Sequence, residues 1–149
     1  MALPFSTKQA LENRLGERVR FDEPMAAHTS LRIGGPADAL VMPETESEVL
    51  ELFSMLADDG VCWFAVGGGT NLLVGDGGIR AVVIDMSRGF YRIAREQNTS
   101  SGIRVRAGSG ARLSALCRFA VDQGLAGMLF ATGIPGTVGG AAMMNAGTA

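Results

Sequence analysis

Two glycine-rich loops carry the residue pattern with the clearest chemical use. The first, Gly67–Asn71, follows a short apolar stretch and places Thr70 and Asn71 behind three glycines. Backbone N–H groups that no side chain shields can converge on phosphate oxygens. Because the loop contains no Arg or Lys, amide dipoles would have to balance the charge of the ligand. A pyrophosphate diester therefore fits this loop better than a terminal phosphate. The alternative is a plain tight connection after a strand.

The second loop, Gly133–Gly140, encloses Pro135 between glycines and is followed by the small residues Ala141 and Ala142. Proline fixes its own φ angle, so this turn is stiff, and few side chains project from it. A flat ligand such as an isoalloxazine ring needs a rigid backbone wall of this kind. The alternative is that the glycines only allow a helix to start in a closely packed place.

Two other nucleotide-binding signatures are missing from the sequence. Lys8 is the sole lysine, so the chain has no Walker A loop, which requires a lysine after its last glycine. Neither the first loop nor Gly108–Gly110 completes the G-x-G-x-x-G pattern, because Leu72 and Leu113 stand where the last glycine belongs. The sequence therefore does not support a Rossmann site.

Alternating strand and helix patterns place the first loop. Strand signals are short apolar, β-branched runs, and the helix signal is apolar spacing behind a capping box. The sequence predicts, in order, a strand at Leu40–Met42, a helix from the capping box Thr45/Glu48 to Gly60, and strands at Cys62–Val66 and Ala81–Met86. A further capping box at Ser6 and Gln9 predicts an N-terminal helix. This half of the chain is predicted to be an α/β lobe with a small parallel or mixed sheet.

The second half of the chain has fewer clear elements. Ile103–Ala107 alternates apolar and basic residues, as a half-exposed strand does. A helix follows from Leu113 and ends at Gly124. One strand and one helix are too little for an independent sheet. We therefore expect a first lobe over residues 1–86 and a partial second lobe over 87–149, and we expect the chain to be a fragment of a longer protein.

Charge and composition exclude several kinds of partner. Thirteen basic residues stand against fifteen acidic ones, so no overall field favours nucleic acid. Cys62 and Cys117 lack His or Cys neighbours, which predicts two buried free thiols and no metal site. No signal peptide or apolar stretch of about 20 residues is present, so neither secretion nor a membrane span is expected. The sequence predicts a cytoplasmic protein.

Several segments, taken in order, resemble the UDP-N-acetylenolpyruvoylglucosamine reductase (MurB; UDP-N-acetylmuramate dehydrogenase) family. They lie within residues 26–147: 28–38, 66–78, 107–110, 124–127, 133–140 and 144–147. The wider group is the vanillyl-alcohol-oxidase or PCMH-type superfamily, in which two α/β lobes hold FAD between them. The resemblance therefore implies an α/β (α+β) fold of PCMH type whose second lobe is incomplete. One departure is His28, where the family often has Asn.

The resemblance also implies a cofactor, a reaction and a set of binding residues. The cofactor is FAD, and NADPH is the co-substrate of the complete enzyme, an oxidoreductase that reduces UDP-N-acetylglucosamine enolpyruvate. The reaction belongs to peptidoglycan synthesis, and so to cell wall biogenesis, cell shape and cell division. The implied FAD-binding residues are Gly67, Gly68, Gly69, Thr70, Asn71, Leu72, Gly133, Ile134, Pro135, Gly136, Val138, Gly139, Gly140 and Asn145.

No catalytic residue of the family is matched in this chain. The family's catalytic serine, late glutamate and substrate-polarising arginine belong to a substrate-binding domain that the 149 residues do not include. The chain alone is therefore expected to be inactive, and the UDP-sugar is expected to bind only with the missing domain. Two alternatives remain open at this point: the FAD module of another oxidoreductase of the superfamily, or a non-catalytic nucleotide-binding fragment.

A few single residues attract attention beside the loops. His28 is the sole histidine, and without a companion carboxylate or Cys/His cluster a structural role is favoured over a base or ligand. Arg32 is expected either to reach a phosphate or to pair with Asp38. Trp63 and Phe64 are expected in the core, as are Met143 and Met144, with a smaller chance that these side chains line the cofactor.

Overall fold

A computed structural model describes residues 3–148 of the chain. Within these residues, four α-helices and six strands form the main elements, beside three short 3-10 helices. The helices are α1 (Phe5–Leu15), α2 (Glu46–Asp58), α3 (Leu113–Asp122) and α4 (Val138–Met143). The strands are β1 (Val19–Pro24), β2 (Pro36–Val41), β3 (Trp63–Val66), β4 (Ile79–Asp85), β5 (Ile93–Thr99) and β6 (Gly102–Ala107).

The strands form a four-stranded sheet in the order β1-β2-β4-β3 and a separate two-stranded sheet of β5 and β6. In the larger sheet β2 and β4 are parallel, as are β3 and β4, whereas β1 runs antiparallel to β2. The sheet is therefore mixed, which confirms the expected α/β character. The predicted strands near 40, 62 and 81 and the predicted helix before Gly60 are all present, with boundaries shifted by a few residues.

The two central strands are buried on both faces. On one face Val41 and Ile84 pack beneath α1 and α2, together with Leu52 and Leu56 of α2. On the other face Leu40 and Val83 pack with the chain segments that carry Met25, Val66 and Val74. This double burial explains why residues 37–42 are uniformly apolar except for Asp38 rather than alternating. The carboxylate of Asp38 is satisfied by Arg80 at 2.9 Å.

The residues at the helix starts explain where α1 and α2 begin. Thr45 caps α2, since its Oγ1 accepts a hydrogen bond of 3.2 Å from the backbone N–H of Glu48, as the capping box predicts. The Glu48 carboxylate accepts from the N–H of Glu44 and from Arg18. The capping box expected at Ser6 is wrong, because α1 begins behind Pro4 and Ser6 lies inside the helix without capping it. Proline is suited to a helix start, since it has no N–H to satisfy.

Strands β1 and β5 were not predicted from the sequence. The residues of β5 are IAREQNT, and most of their side chains are exposed, so no apolar alternation marks it. It pairs antiparallel with β6 as a hairpin whose register shifts between Arg95 and Asn98. Glu96 and Arg106 pair across this hairpin at 2.5 Å. The predicted strand at Ile103–Ala107 is present within β6.

Candidate functional site

The first loop continues directly from the end of β3. Because β3 is an edge strand of the sheet, its carboxyl end delivers Gly67–Asn71 to an open side of the molecule. Gly69 has a φ of +61° and is buried, whereas Gly68 has an ordinary φ and is exposed. The positive backbone angle that the loop needs is therefore at Gly69 rather than at Gly68.

The backbone amides of the first loop have no hydrogen-bond acceptor within the described part of the chain. Across residues 3–148, no protein acceptor receives a hydrogen bond from the N–H groups of residues 67–72. In a folded chain most backbone donors find a protein partner unless water or a ligand serves them. A run of consecutive free amides with no side chain on three of them is the arrangement that anionic phosphate oxygens bind. The loop therefore has the donors that a phosphate group requires.

The second loop is fixed by its neighbours. Its residues Val138 and Gly139 donate backbone hydrogen bonds of 2.8 Å to the carbonyls of Ala111 and Ser109, respectively, and Gly136 accepts one of 3.0 Å from Leu113. These bonds tie the loop to the turn before α3. A side chain at Gly139 would come within 2.8 Å of the Ser109 Cβ. At Gly139, glycine is therefore required by close packing, which was the alternative explanation given for the glycines of this loop.

The two loops lie against each other. The Thr70 hydroxyl donates to the carbonyl of Pro135 at 3.4 Å. The position that a Cβ would take on Gly68 is 3.4 Å from the Gly136 Cα, and a Cβ on Gly67 would overlap the Thr137 hydroxyl. Segments that are more than 60 residues apart in the chain thus share one surface. The geometry brings together the two halves of the site that the sequence suggested.

Residues outside the predicted list also shape this surface. The carbonyl of His28 occupies the space beside Gly69 where a side chain would go, and the N–H of Ser30 donates to the Gly69 carbonyl at 3.1 Å. Thr137 was not among the predicted binding residues, yet it is buried and caps α4 by accepting from the Gly140 N–H at 3.3 Å. Its position directly before a small-residue helix was a usable capping signal.

The remaining predicted binding residues are spread around the loops. Leu72 is half-buried and packs against the core below the sheet, so its side chain supports the loop from beneath. Ile134 is half-buried and Pro135 is exposed. Asn145 lies beyond the end of α4 with a φ of +48° and is exposed. The predicted set thus contains residues that support the loops as well as residues that face outward.

Several single-residue expectations are corrected by the structure. His28 does have a carboxylate partner, since its Nε2 lies 2.8 Å from Glu23. Asp38 pairs with Arg80 rather than with Arg32. The segment that carries Arg32 is an exposed loop, and Arg32 has a φ of +55°.

The expected core positions near the loops are also corrected. Trp63 and Phe64 are 46% and 45% exposed, because β3 is the edge strand, and Trp63 packs on Phe53 with ring centroids 4.6 Å apart. Met143 and Met144 are exposed as well, at 84% and 59%. The two cysteines are free thiols, but Cys62 is exposed and Cys117 half-buried, so their predicted burial is wrong.

Hydrogen bonding from neighbours shifts the acidity of the carboxylate that faces His28. Burial by itself raises the pKa of Glu23, but hydrogen bonds from His28 and Arg20 outweigh it and hold the pKa below its usual value. Glu23 is therefore an anion that anchors the chain on the N-terminal side of the segment beside Gly69.

In the part of the chain described, no helix is long and apolar enough to cross a membrane.

The fold and the paired loops define a class of flavin-binding protein, and sequence comparison agrees. The chain belongs to the FAD binding domain family, whose profile matches residues 37–149. FAD is accordingly the cofactor of this domain. The solved structure of UDP-N-acetylenolpyruvylglucosamine reductase (MurB) from Thermus caldophilus is similar, with a TM-score of 0.65 and 30% identity, over 87% of this chain and 44% of that one. This similarity confirms the expected PCMH-type fold.

Named relatives point to one kind of enzyme. UDP-N-acetylenolpyruvoylglucosamine reductase from Desulfosudis oleivorans is 54% identical over 95% of this chain, and the match covers 45% of that protein. The protein of the same name from Pelobacter propionicus is 52% identical over 85% of the chain and 41% of its own length. The chain thus spans less than half the length of these curated relatives. An alkyldihydroxyacetonephosphate synthase at 20% identity and a TM-score of 0.60 shares the fold alone.

Proposed function

We propose that this chain is the FAD-binding portion of a UDP-N-acetylmuramate dehydrogenase. In this proposal the complete enzyme uses NADPH to reduce UDP-N-acetylglucosamine enolpyruvate during peptidoglycan synthesis, in the cytoplasm, and so contributes to cell wall biogenesis, cell shape and cell division. The observation that carries the proposal is the 54% identity to a protein of that name along 95% of the chain. When bound, FAD would supply the hydride chemistry, and the protein would bind and orient it.

The first loop is proposed to hold the pyrophosphate. Its free amides at residues 67–72 are the supporting observation, together with the lack of a lysine or arginine in the loop. Amide dipoles that are already fixed in place stabilise an anion without reorganising. Leu72, packed on the core, would hold the end of this loop at a constant distance from the sheet.

The second loop is proposed to form the wall beside the pyrophosphate and the flavin ring. Support comes from its anchoring at Ala111 and Ser109 and from its contact with the first loop. A wall of backbone and glycine admits a flat ring more closely than one of side chains. We place Asn145 at the far end of this wall, beyond α4, as the last proposed contact of the cofactor in the chain.

The two-lobe division at residues 86 and 87 belongs to the same proposal. It is supported by the boundary between the sheets, since β4 ends at Asp85 and β5 begins at Ile93. The first loop then comes from one lobe and the second from the other. The UDP-sugar would contact this chain only together with a substrate domain like that expected from the family.

FAD titration of the purified 149-residue chain tests the proposal. We expect saturable binding with quenching of flavin fluorescence, and we expect FMN, which lacks the pyrophosphate and adenosine, to bind much more weakly. Failure to bind FAD would contradict the proposal. Equal affinity for FAD and FMN would contradict the assignment of the first loop to the pyrophosphate.

A further inference from the structure

Each loop places a threonine in a space that a glycine of the other loop leaves open. The Thr137 hydroxyl lies where a Cβ on Gly67 would stand, and the Thr137 Cβ and Cγ2 are 3.2 and 3.3 Å from that position. In the opposite direction, a Cβ on Gly136 would come within 2.8 Å of the Thr70 Oγ1. Two glycine–threonine pairs therefore interlock the loops.

Thr137 is held in this position by its second role. It is only 4% exposed, and its hydroxyl accepts a hydrogen bond from the N–H of Gly140 at the start of α4. An N-cap threonine has its side chain fixed by that bond. The Thr137 hydroxyl oxygen therefore both fills the space beside Gly67 and caps α4, which begins within the second loop. The position of the first loop and the start of α4 thus depend on one atom.

We propose that Thr137 and Gly67 form a latch that sets how closely the two loops pack and thereby the shape of the FAD site. This inference rests on the proposed placement of FAD against both loops. Thr137 is a positioning residue in this account, because its hydroxyl faces Gly67 and Gly140. Thr70 and Gly136 form the second half of the latch.

The latch predicts that substitutions at the two positions are coupled. Gly67→Ala adds a methyl group that overlaps the Thr137 hydroxyl, so it forces the loops apart and weakens FAD binding by about thirtyfold or more. Thr137→Ala removes the hydroxyl and loses the cap, which weakens binding by about tenfold. In the double variant the new methyl group occupies the space that the hydroxyl vacates. Residues in direct contact commonly show such non-additive effects.

The experiment is a double-mutant cycle read out by the FAD dissociation constant. Parent, Gly67→Ala, Thr137→Ala and the double variant are titrated with FAD, and Thr137→Ser, which keeps the hydroxyl, serves as the conservative rescue. We expect the double variant to bind FAD no more weakly than Gly67→Ala alone and Thr137→Ser to bind within about threefold of the parent. Gly77→Ala is the matched control, because a Cβ there meets nothing within 4 Å.

The flavin absorbance spectrum and thermal unfolding without FAD are recorded for each variant. If the flavin spectrum is shifted in Thr137→Ala and is the same as that of the parent in Thr137→Ser, the hydroxyl of Thr137 positions the loops. A loss of stability alone would not change the environment of the flavin. If the parent binds FAD normally and the losses of FAD affinity in the two single variants multiply in the double variant, the latch is wrong. The proposed function would remain intact. Failure of the parent to bind FAD would instead overturn the proposed function, and the latch with it.

Discussion

The Nε2 atom of His28 lies 2.8 Å from a carboxylate oxygen of Glu23, and the His28 carbonyl lies against Gly69 of the first loop. The sole histidine thus links the end of β1 to the glycine loop. Its side chain and that of Glu23 are 18% and 16% exposed, so solvent screens the pair only in part. This arrangement gives His28 a positioning role.

We expect His28→Ala to lower the free energy of unfolding by about 1.5–3 kcal/mol, the usual effect of losing a hydrogen bond to a charged group. Urea unfolding followed by the fluorescence of Trp63, the sole tryptophan, measures it. Glu23→Ala is the partner variant. If the two losses simply add in the double variant, the His28–Glu23 bond does not stabilise the protein.

Acid should weaken the protein through the Arg18–Glu48 pair. The hydrogen bond from Arg18 lowers the pKa of Glu48 from 4.5 to about 2. A carboxylate with a lowered folded pKa contributes stability that is complete above its unfolded pKa and is lost as the pH falls through the folded value. Stability from this pair should therefore decline between pH 4.5 and about pH 2.

Because solvent partly screens the Arg18–Glu48 pair, the decline that it causes in the free energy of unfolding should be about 1–2 kcal/mol. Equilibrium unfolding at a series of pH values, for the parent and for Glu48→Gln, measures it. The glutamine variant should lose this part of the acid dependence. An unchanged acid slope in Glu48→Gln would show that other carboxylates account for it.

Gly68 is the glycine of the first loop at which an added Cβ would find room in the protein. A Cβ there is 3.4 Å from the Gly136 Cα, an ordinary contact, whereas Gly67 and Gly69 leave no room. Gly68→Ala should therefore fold normally but bind FAD about tenfold more weakly, and Gly68→Val more weakly still, because the added groups enter the space of the phosphate. FAD titration measures these affinities, with Gly77→Ala as the control. Parent-like affinity in Gly68→Val would remove this loop from the site.

The 149-residue chain is predicted not to turn over substrate by itself. It spans only 45% of the length of the Desulfosudis oleivorans relative. The assay is NADPH oxidation that depends on UDP-N-acetylglucosamine enolpyruvate, with FAD supplied, for this chain and for that full-length relative. Substrate-dependent turnover by the short chain would mean that it already contains an acid, and His28 would be the first residue to test.

Sequence reasoning identified the elements with strong apolar patterns and the two glycine loops. It could not identify β5, because a hairpin strand with exposed polar residues has no apolar alternation. It placed Trp63 and Phe64 in the core because sequence does not show which strand lies at the edge of a sheet.

Contacts between segments that are distant in the sequence could not be predicted either. The pairing of Asp38 with Arg80 spans 42 positions, and nothing in either local pattern marks it. The packing of Thr137 on Gly67 spans 70 positions. A resemblance indicated that both loops belong to one site, but the atoms that join them became visible only in the fold.

A crystal structure of the chain with FAD tests the central claim most directly. The account predicts that pyrophosphate oxygens lie within about 3.2 Å of backbone nitrogens among residues 67–72, with the second loop, Gly133–Gly140, in van der Waals contact with the cofactor. Thr137 should remain against Gly67 rather than turn toward FAD. A pyrophosphate bound elsewhere, with the amides of the first loop facing solvent, would contradict the account.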